Sequence, residues 1–210
     1  MRDRPSDLSL SKRADPAWLA AFKELLKRLL ANVNTSPKEP ISVYLAGGAA
    51  MHLYTGIRIS DDVDAVFSRK LLVPADMQVL YRDSQGKPRS LYFDPNYNES
   101  FALLHEDAHE DAMRLPLKGI KGVRILVLQP VDLAVSKLSR FSEIDRADIL
   151  QLAKDGLITA KALRQRAGQA LSGYVGNPAP LRTSLNLACR DIEALGRRLR
   201  TRFRTSRVGS

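Results

Sequence analysis

Residues 41–67 constrain this chain more than any other stretch. Ile41-Ser42-Val43-Tyr44-Leu45-Ala46 is a short apolar run of strand character, Gly47-Gly48 ends it, and Ala49 to Tyr54 favours helix. A short linker, Gly56-Ile57-Arg58-Ile59-Ser60, follows. Asp62-Val63-Asp64-Ala65-Val66-Phe67 then alternates strictly, which predicts a strand with Asp62, Asp64 and Val66 on one face and Val63, Ala65 and Phe67 on the other. Glycines at a strand-to-helix turn let an anion reach the backbone without meeting a Cβ, and the first N–H groups of the helix add a positive dipole end. That end suits a triphosphate. Carboxylates at i and i+2 of a strand project together and can share hard divalent cations such as magnesium, which takes oxygen ligands and bridges phosphates. A pair of such ions activates an attacking hydroxyl and stabilises a leaving pyrophosphate.

The flanking sequence places this segment in a mixed α/β half. Asp15-Pro16 caps a predicted helix from about Ala17 to Val33, with Trp18, Phe22, Leu25, Leu26 and Leu29 at three- and four-residue spacing. Leu71 to Tyr81 reads as another helix, Ser84 to Lys87 as a polar turn, Arg89 to Asp94 as a strand stopped by Pro95, and Val123 to Leu128 as a further strand. From Val131 the pattern is helical: Asp132–Phe141, Arg146–Lys154, Thr159–Leu171 and Thr183 to about Phe203. The fold class is therefore α/β (α+β), a mixed sheet followed by a C-terminal helical bundle.

Charge is distributed unevenly. The 210 residues carry a formal net charge of +10. Residues 41–181 hold 17 basic and 16 acidic side chains, whereas 182–210 hold eight arginines against only Asp191 and Glu193. A basic tail beside a balanced body suits a polyanionic partner, since lysines and arginines on phosphates release condensed counterions; a solvated helix face would look the same. The single cysteine, Cys189, excludes an internal disulfide, and three histidines leave any metal to oxygen ligands. No apolar run approaches the roughly 18 residues of a membrane span, and the opening Met-Arg-Asp-Arg-Pro lacks a secretory apolar stretch, so a cytoplasmic location is expected.

Gly47-Gly48 followed by Asp62-Val63-Asp64 resembles the signature of the polymerase-β-like nucleotidyltransferase superfamily. Arg58-Ile59-Ser60-Asp61-Asp62-Val63-Asp64 is similar to the Arg-x-Thr-x-Asp-hydrophobic-Asp version in the nucleotidyltransferase toxins of AbiE-type (type IV) toxin–antitoxin systems. Leu128 to Leu138 resembles their Pro-x-Asp-Leu-x-x-x-Lys-Leu helix, and Arg140 to Ile149 the Arg-x-x-Asp-x-x-Asp-Ile segment after it. The likeness spans about residues 41–155. It departs from the common pattern at Ala49, where many relatives offer a serine hydroxyl.

The resemblance implies a nucleotidyltransferase domain over 17–130 and a helical domain over 131–205, with the site in the cleft between them. It implies that Asp62 and Asp64 hold two magnesium ions, that Gly47 and Gly48 meet the NTP phosphates, and that Lys137 stands near the triphosphate. A third carboxylate is expected from a neighbouring strand: Asp94 first, with Asp107 and Asp111 in reserve. Arg58 and Ser60 either contact phosphate or cap the strand. Asp145 and Asp148 read as helix-capping groups, and His105 to Asp111 as a solvated or rim loop rather than a zinc site. In the last helix Leu185, Ala188, Ile192, Leu195, Leu199 and Phe203 form an apolar stripe, leaving Arg190, Arg197, Arg198, Arg200, Arg202 and Arg204 as candidates for an RNA surface. The implied reaction is transfer of a nucleotide to the 3′ acceptor end of tRNA, blocking translation, with a cognate antitoxin protein as partner. Small-molecule (aminoglycoside-type) transfer, protein nucleotidylation and a non-catalytic binding protein of the same fold are the competing readings.

Overall fold

A computed structural model describes residues 13–31, 33, 38–74 and 76–206, with side chains as far as residue 198. The architecture is mixed α+β: six helices and seven strands among the described residues, the strands in one four-stranded and one three-stranded sheet. The chain forms two compact units. The first runs up to Glu99 and resumes at Asp107–Gln129; the second joins Ser100–Glu106 to everything from Pro130 onward.

In the first unit, α1 (Pro16–Ala31) buries Trp18, Ala21, Phe22, Leu25, Leu26 and Leu29, the face set by their spacing in the sequence. Each of the larger side chains contributes about 2 kcal/mol through removal from water. Strand β1 (Ile41–Leu45) leads into α2 (Gly47–Thr55), and the acidic segment forms β2 (Asp62–Val63) and β3 (Ala65–Phe67). Strands β4 (Gln78–Arg82) and β5 (Pro88–Phe93) form a hairpin, and β6 (Met113–Arg114) and β7 (Val123–Val127) follow. One sheet has the order β3-β1-β7-β6, with β1 and β7 parallel; the other is β2-β5-β4, with β2 and β5 parallel. Phe93 bridges the layers, its ring edge-on to Phe22 of α1 at 6.5 Å and to Phe67 of β3 at 5.5 Å.

In the first unit two segments depart from the elements predicted in the sequence. Of the predicted helix over 71–81, the described residues 71–74, 76 and 77 are not helical and β4 begins at Gln78: Gln78 to Arg82 alternates, burying Val79 while Leu80 is 75% exposed, and Pro74 interrupts the helix before it can start. The single strand predicted over 62–67 is two, because the chain leaves one sheet at Asp64 and enters the other at Ala65.

The second unit consists of α3 (Pro130–Ser136), α4 (Glu143–Lys154), α5 (Ala160–Ser172) and α6 (Ala179–Ser206). Leu103 of the inserted segment donates its N–H to Ser139 Oγ at 2.8 Å. The first helix ends at Ser136, five residues short of the predicted Phe141, because the chain turns through Phe141, at φ 47°, into Ser142. Ser142 caps α4 in a capping box with Asp145, and Thr159 caps α5. Helix α6 buries Leu181, Leu185, Ala188, Cys189 and Ile192, while Leu195 is half-buried. The side chains of Leu199 and Phe203 lie outside the described residues.

Candidate active site

The turn after β1 and the break between β2 and β3 interlock. Ala46 donates its N–H to the Asp64 carbonyl at 3.0 Å, which ties the start of α2 to the junction of the two sheets. Gly47 has φ +50°, and a Cβ there would collide with the Asp64 carboxylate. Both facts demand glycine. A Cβ on Gly48 would collide with the Ser60 hydroxyl, and the Arg58 guanidinium stands 3.7 Å from where that Cβ would be. Ser60 Oγ in turn donates to Asp62 Oδ1 at 2.5 Å. The structure therefore brings together Gly47, Gly48, Arg58, Ser60, Asp62 and Asp64, six residues picked out in the sequence.

Asp94 joins them through sheet register. In the parallel β2–β5 pair Asp62 faces Tyr92 and Val63 faces Phe93, and Asp94 donates its N–H to the Val63 carbonyl at 3.1 Å. The next position of the register sets Asp94 alongside Asp64. Asp94 Oδ1 accepts the Asn96 N–H at 2.8 Å, so the Asp-Pro-Asn turn also uses this carboxylate. Asp107 and Asp111 lie in one turn, closed by the Asp111 N–H to Asp107 carbonyl bond, with His109 between them. That histidine stacks on Tyr44 at 4.2 Å and pairs with Glu99 at 2.9 Å.

The donors of Asp62 and Asp64 are hard carboxylate oxygens on a strand end, the chemistry magnesium takes. Among the described residues no three His, Cys, Asp or Glu side chains cluster tightly enough to hold an ion by themselves. A metal here fits the arrangement in which one or two carboxylates bind and substrate phosphates complete the shell.

Sequence reasoning missed two neighbours of this cluster. The Trp18 indole donates to the Ser60 carbonyl at 3.0 Å in a buried bond, and the Tyr97 phenol is pushed up by burial and by the Asp64 and Glu99 carboxylates. Trp18 reads simply as the first core residue of an amphipathic helix, and Tyr97 reaches Asp64 only through the turn after Asp94, so neither leaves a local signal.

Lys137, expected beside a triphosphate, lies inside the second unit, 6% exposed, with its ammonium 2.7 Å from Asp148 and 3.4 Å from Asp145. Burial alone would raise the Asp145 carboxyl. The Arg140 fork, the Ser142 hydroxyl and Lys137 outweigh it and hold the group well below the usual carboxylate range. Asp132, fully buried, takes a bidentate fork from Arg166 at 2.6 and 2.9 Å. The two segments of the second unit that carried the resemblance thus supply a structural ion-pair network. Arg190, Arg197 and Arg198 are exposed on α6; the Arg200, Arg202 and Arg204 side chains lie outside the described residues. No helix among the described residues is long and apolar enough to cross a membrane.

A family model described as nucleotidyltransferase of unknown function (DUF6036) matches residues 20–177, which include every element from β1 to α5. No curated protein and no solved structure matches the chain.

Proposed function

The chain belongs to this nucleotidyltransferase family, and from that premise we propose that it transfers a nucleotidyl group from an NTP to the 3′ acceptor end of tRNA, as the toxin of a toxin–antitoxin pair. The observation that carries the transfer reading is the interlock of Gly47 with Asp64 and of Gly48 with Ser60 and Asp62. It joins the glycine turn that opens α2 and a carboxylate pair suited to magnesium within one small cluster.

In this reading the acceptor hydroxyl oxygen bonds to the α-phosphorus, the bond from that phosphorus to the bridging oxygen breaks, and pyrophosphate leaves. Asp62 and Asp64 would hold two magnesium ions, which supply charge neutralisation on the phosphates and a more acidic acceptor hydroxyl. Gly47 and Gly48 admit the phosphates to the N–H groups opening α2, and the Arg58 guanidinium balances their charge. Asp94 orients the acceptor hydroxyl and accepts its proton. Lys137 has no part in this step; it braces the second unit between Asp145 and Asp148. The tRNA acceptor and the antitoxin rest on the resemblance to AbiE-type toxins, with the exposed Arg190, Arg197 and Arg198 as the RNA-facing candidates.

The test is to incubate the protein with each labelled NTP, magnesium and total tRNA, beside Asp62→Ala and Asp64→Ala. Label on tRNA that both substitutions abolish supports the proposal. Label on a small molecule or a protein in place of tRNA supports a competing acceptor, and label that persists in both variants overturns the mechanism.

A further inference from the structure

We propose that Ser60, fixed by Trp18, is a positioning residue that orients the Asp62 carboxylate for its cation instead of contacting a phosphate. The inference rests on the metal-dependent reading above. Ser60 is 5% exposed, and its hydroxyl donates to Asp62 Oδ1 at 2.5 Å, a short charge-assisted bond. A hydroxyl carries one proton. With that proton on Asp62, Ser60 has none to give to a phosphate oxygen, whereas its bond fixes the rotation of the carboxylate and leaves Oδ2 for a cation.

The linker that carries Ser60 has no regular secondary structure, so something else must hold it. Trp18 does so by donating its indole N–H to the Ser60 carbonyl at 3.0 Å. The indole is itself immobilised: Phe22 stacks on it with centroids 5.2 Å apart, and His52 packs edge-on, also at 5.2 Å. His52 is anchored by accepting the Asp15 N–H at Nε2, 2.9 Å away. Gly48 completes the arrangement, because any side chain there would push the Ser60 hydroxyl off Asp62. A rigid core helix thus sets the direction of a carboxylate through two hydrogen bonds, the kind of outer support that tunes metal ligands.

The experiment is Mn²⁺ binding to the full chain, followed by electron paramagnetic resonance of the free ion, for wild type, Ser60→Ala, Ser60→Thr, Trp18→Phe and Asp62→Ala. Thermal melts check that each variant folds. Ser60→Ala is expected to weaken Mn²⁺ binding by about 10- to 100-fold, the usual range for losing an outer partner of a metal ligand. Ser60→Thr retains the hydroxyl and restores affinity, and Trp18→Phe shifts it the same way as Ser60→Ala by a smaller factor. In transfer assays the magnesium requirement rises in Ser60→Ala while KM for the NTP holds. Unchanged Mn²⁺ affinity in Ser60→Ala, or a raised KM with unchanged affinity, overturns the positioning role and leaves the transfer reading standing. If wild type binds no Mn²⁺, or Asp62→Ala binds it as wild type does, the metal reading itself fails. Should Trp18→Phe not fold, the two Ser60 variants decide the question.

Discussion

The carboxylates of the candidate site and those of the ion-pair network in the second unit are held in opposite ways. In the first, Asp62 accepts from the Ser60 hydroxyl and Asp94 from the Asn96 N–H, both neutral donors. In the second, Asp132 is forked by Arg166, Asp148 meets Lys137, and Asp145 meets both Arg140 and Lys137. A carboxylate held by neutral donors keeps its field for an incoming cation. One held against a guanidinium or ammonium has that field cancelled at the site, and its contribution is to the integrity of the fold. Acidic motifs of similar appearance in the sequence therefore keep different partners, neutral donors at the candidate site and cations in the second unit.

The largest effects test this division directly. Asp62→Ala and Asp64→Ala are each expected to lower nucleotide transfer by about 10³-fold, since bound metal contributes several kcal/mol to the transition state. Both positions are half-buried, and the denaturation midpoint should stay near wild type. Asp132→Ala should do the reverse, costing about 3–5 kcal/mol in urea unfolding because it removes the carboxylate that forks the Arg166 guanidinium, 15% exposed, while transfer per folded molecule is preserved. Replacing Asp132 and Arg166 together with apolar residues of similar volume should recover most of that loss. An Asp132→Ala protein with normal stability and lost transfer would break the division.

Glycines sharpen the same contrast at smaller scale. Gly156, in the second unit, has φ +73° with open space where a Cβ would go, so Gly156→Ala costs only the left-handed strain, about 1–2 kcal/mol. Gly47 adds a collision with the Asp64 carboxylate to a similar strain, so Gly47→Ala should cost more in unfolding and also abolish transfer. Equal, purely structural costs at the two positions would remove the argument that Gly47 serves the site.

Much of the candidate site was readable because it is built from local sequence. Gly47-Gly48, Arg58, Ser60 and Asp62-Val63-Asp64 lie within one strand–turn–helix–strand segment, and an apolar run that stops at Asp94 ends where β5 does. What could not be read depends on partners distant in sequence. The strand breaks at Asp64 because β2 pairs with β5 and β3 with β1, a choice the alternation of side chains does not encode. Lys137 has the spacing of a site lysine, but its neighbours come from α4, beyond a turn through a left-handed Phe141. The segment 71–81 fails for another reason: five residues of β4 are too few to separate period 2 from period 3.6 when Leu71, Leu72 and Leu80 all fall within the segment.

Acid separates the units by the pH at which each weakens, the smallest effect of the series. His52, 1% exposed, has its pKa lowered from the usual 6.5 by burial, only partly offset by the Arg58 backbone and the Asp15 carboxylate. Protonation would also cost the bond that Nε2 accepts from Asp15. The unfolded chain therefore binds a proton that the folded one resists, so the contribution of His52 is intact above about pH 6.5 and is lost as pH falls below it. Asp145 is likewise depressed, but from 3.8, so its contribution survives down to that region and is lost only in stronger acid. Fluorescence of Trp18, the single tryptophan, reports the first unit, and far-ultraviolet circular dichroism is dominated by α4, α5 and α6 of the second. Between pH 7 and 5 the urea midpoint followed by fluorescence should fall while the helical signal holds, and His52→Gln should flatten that fall. Asp145→Asn should instead weaken the helical transition at neutral pH and flatten its dependence below pH 4. A single transition moving identically in both signals would show that the units share one acid response, and the contrast between their charged groups would then not extend to stability.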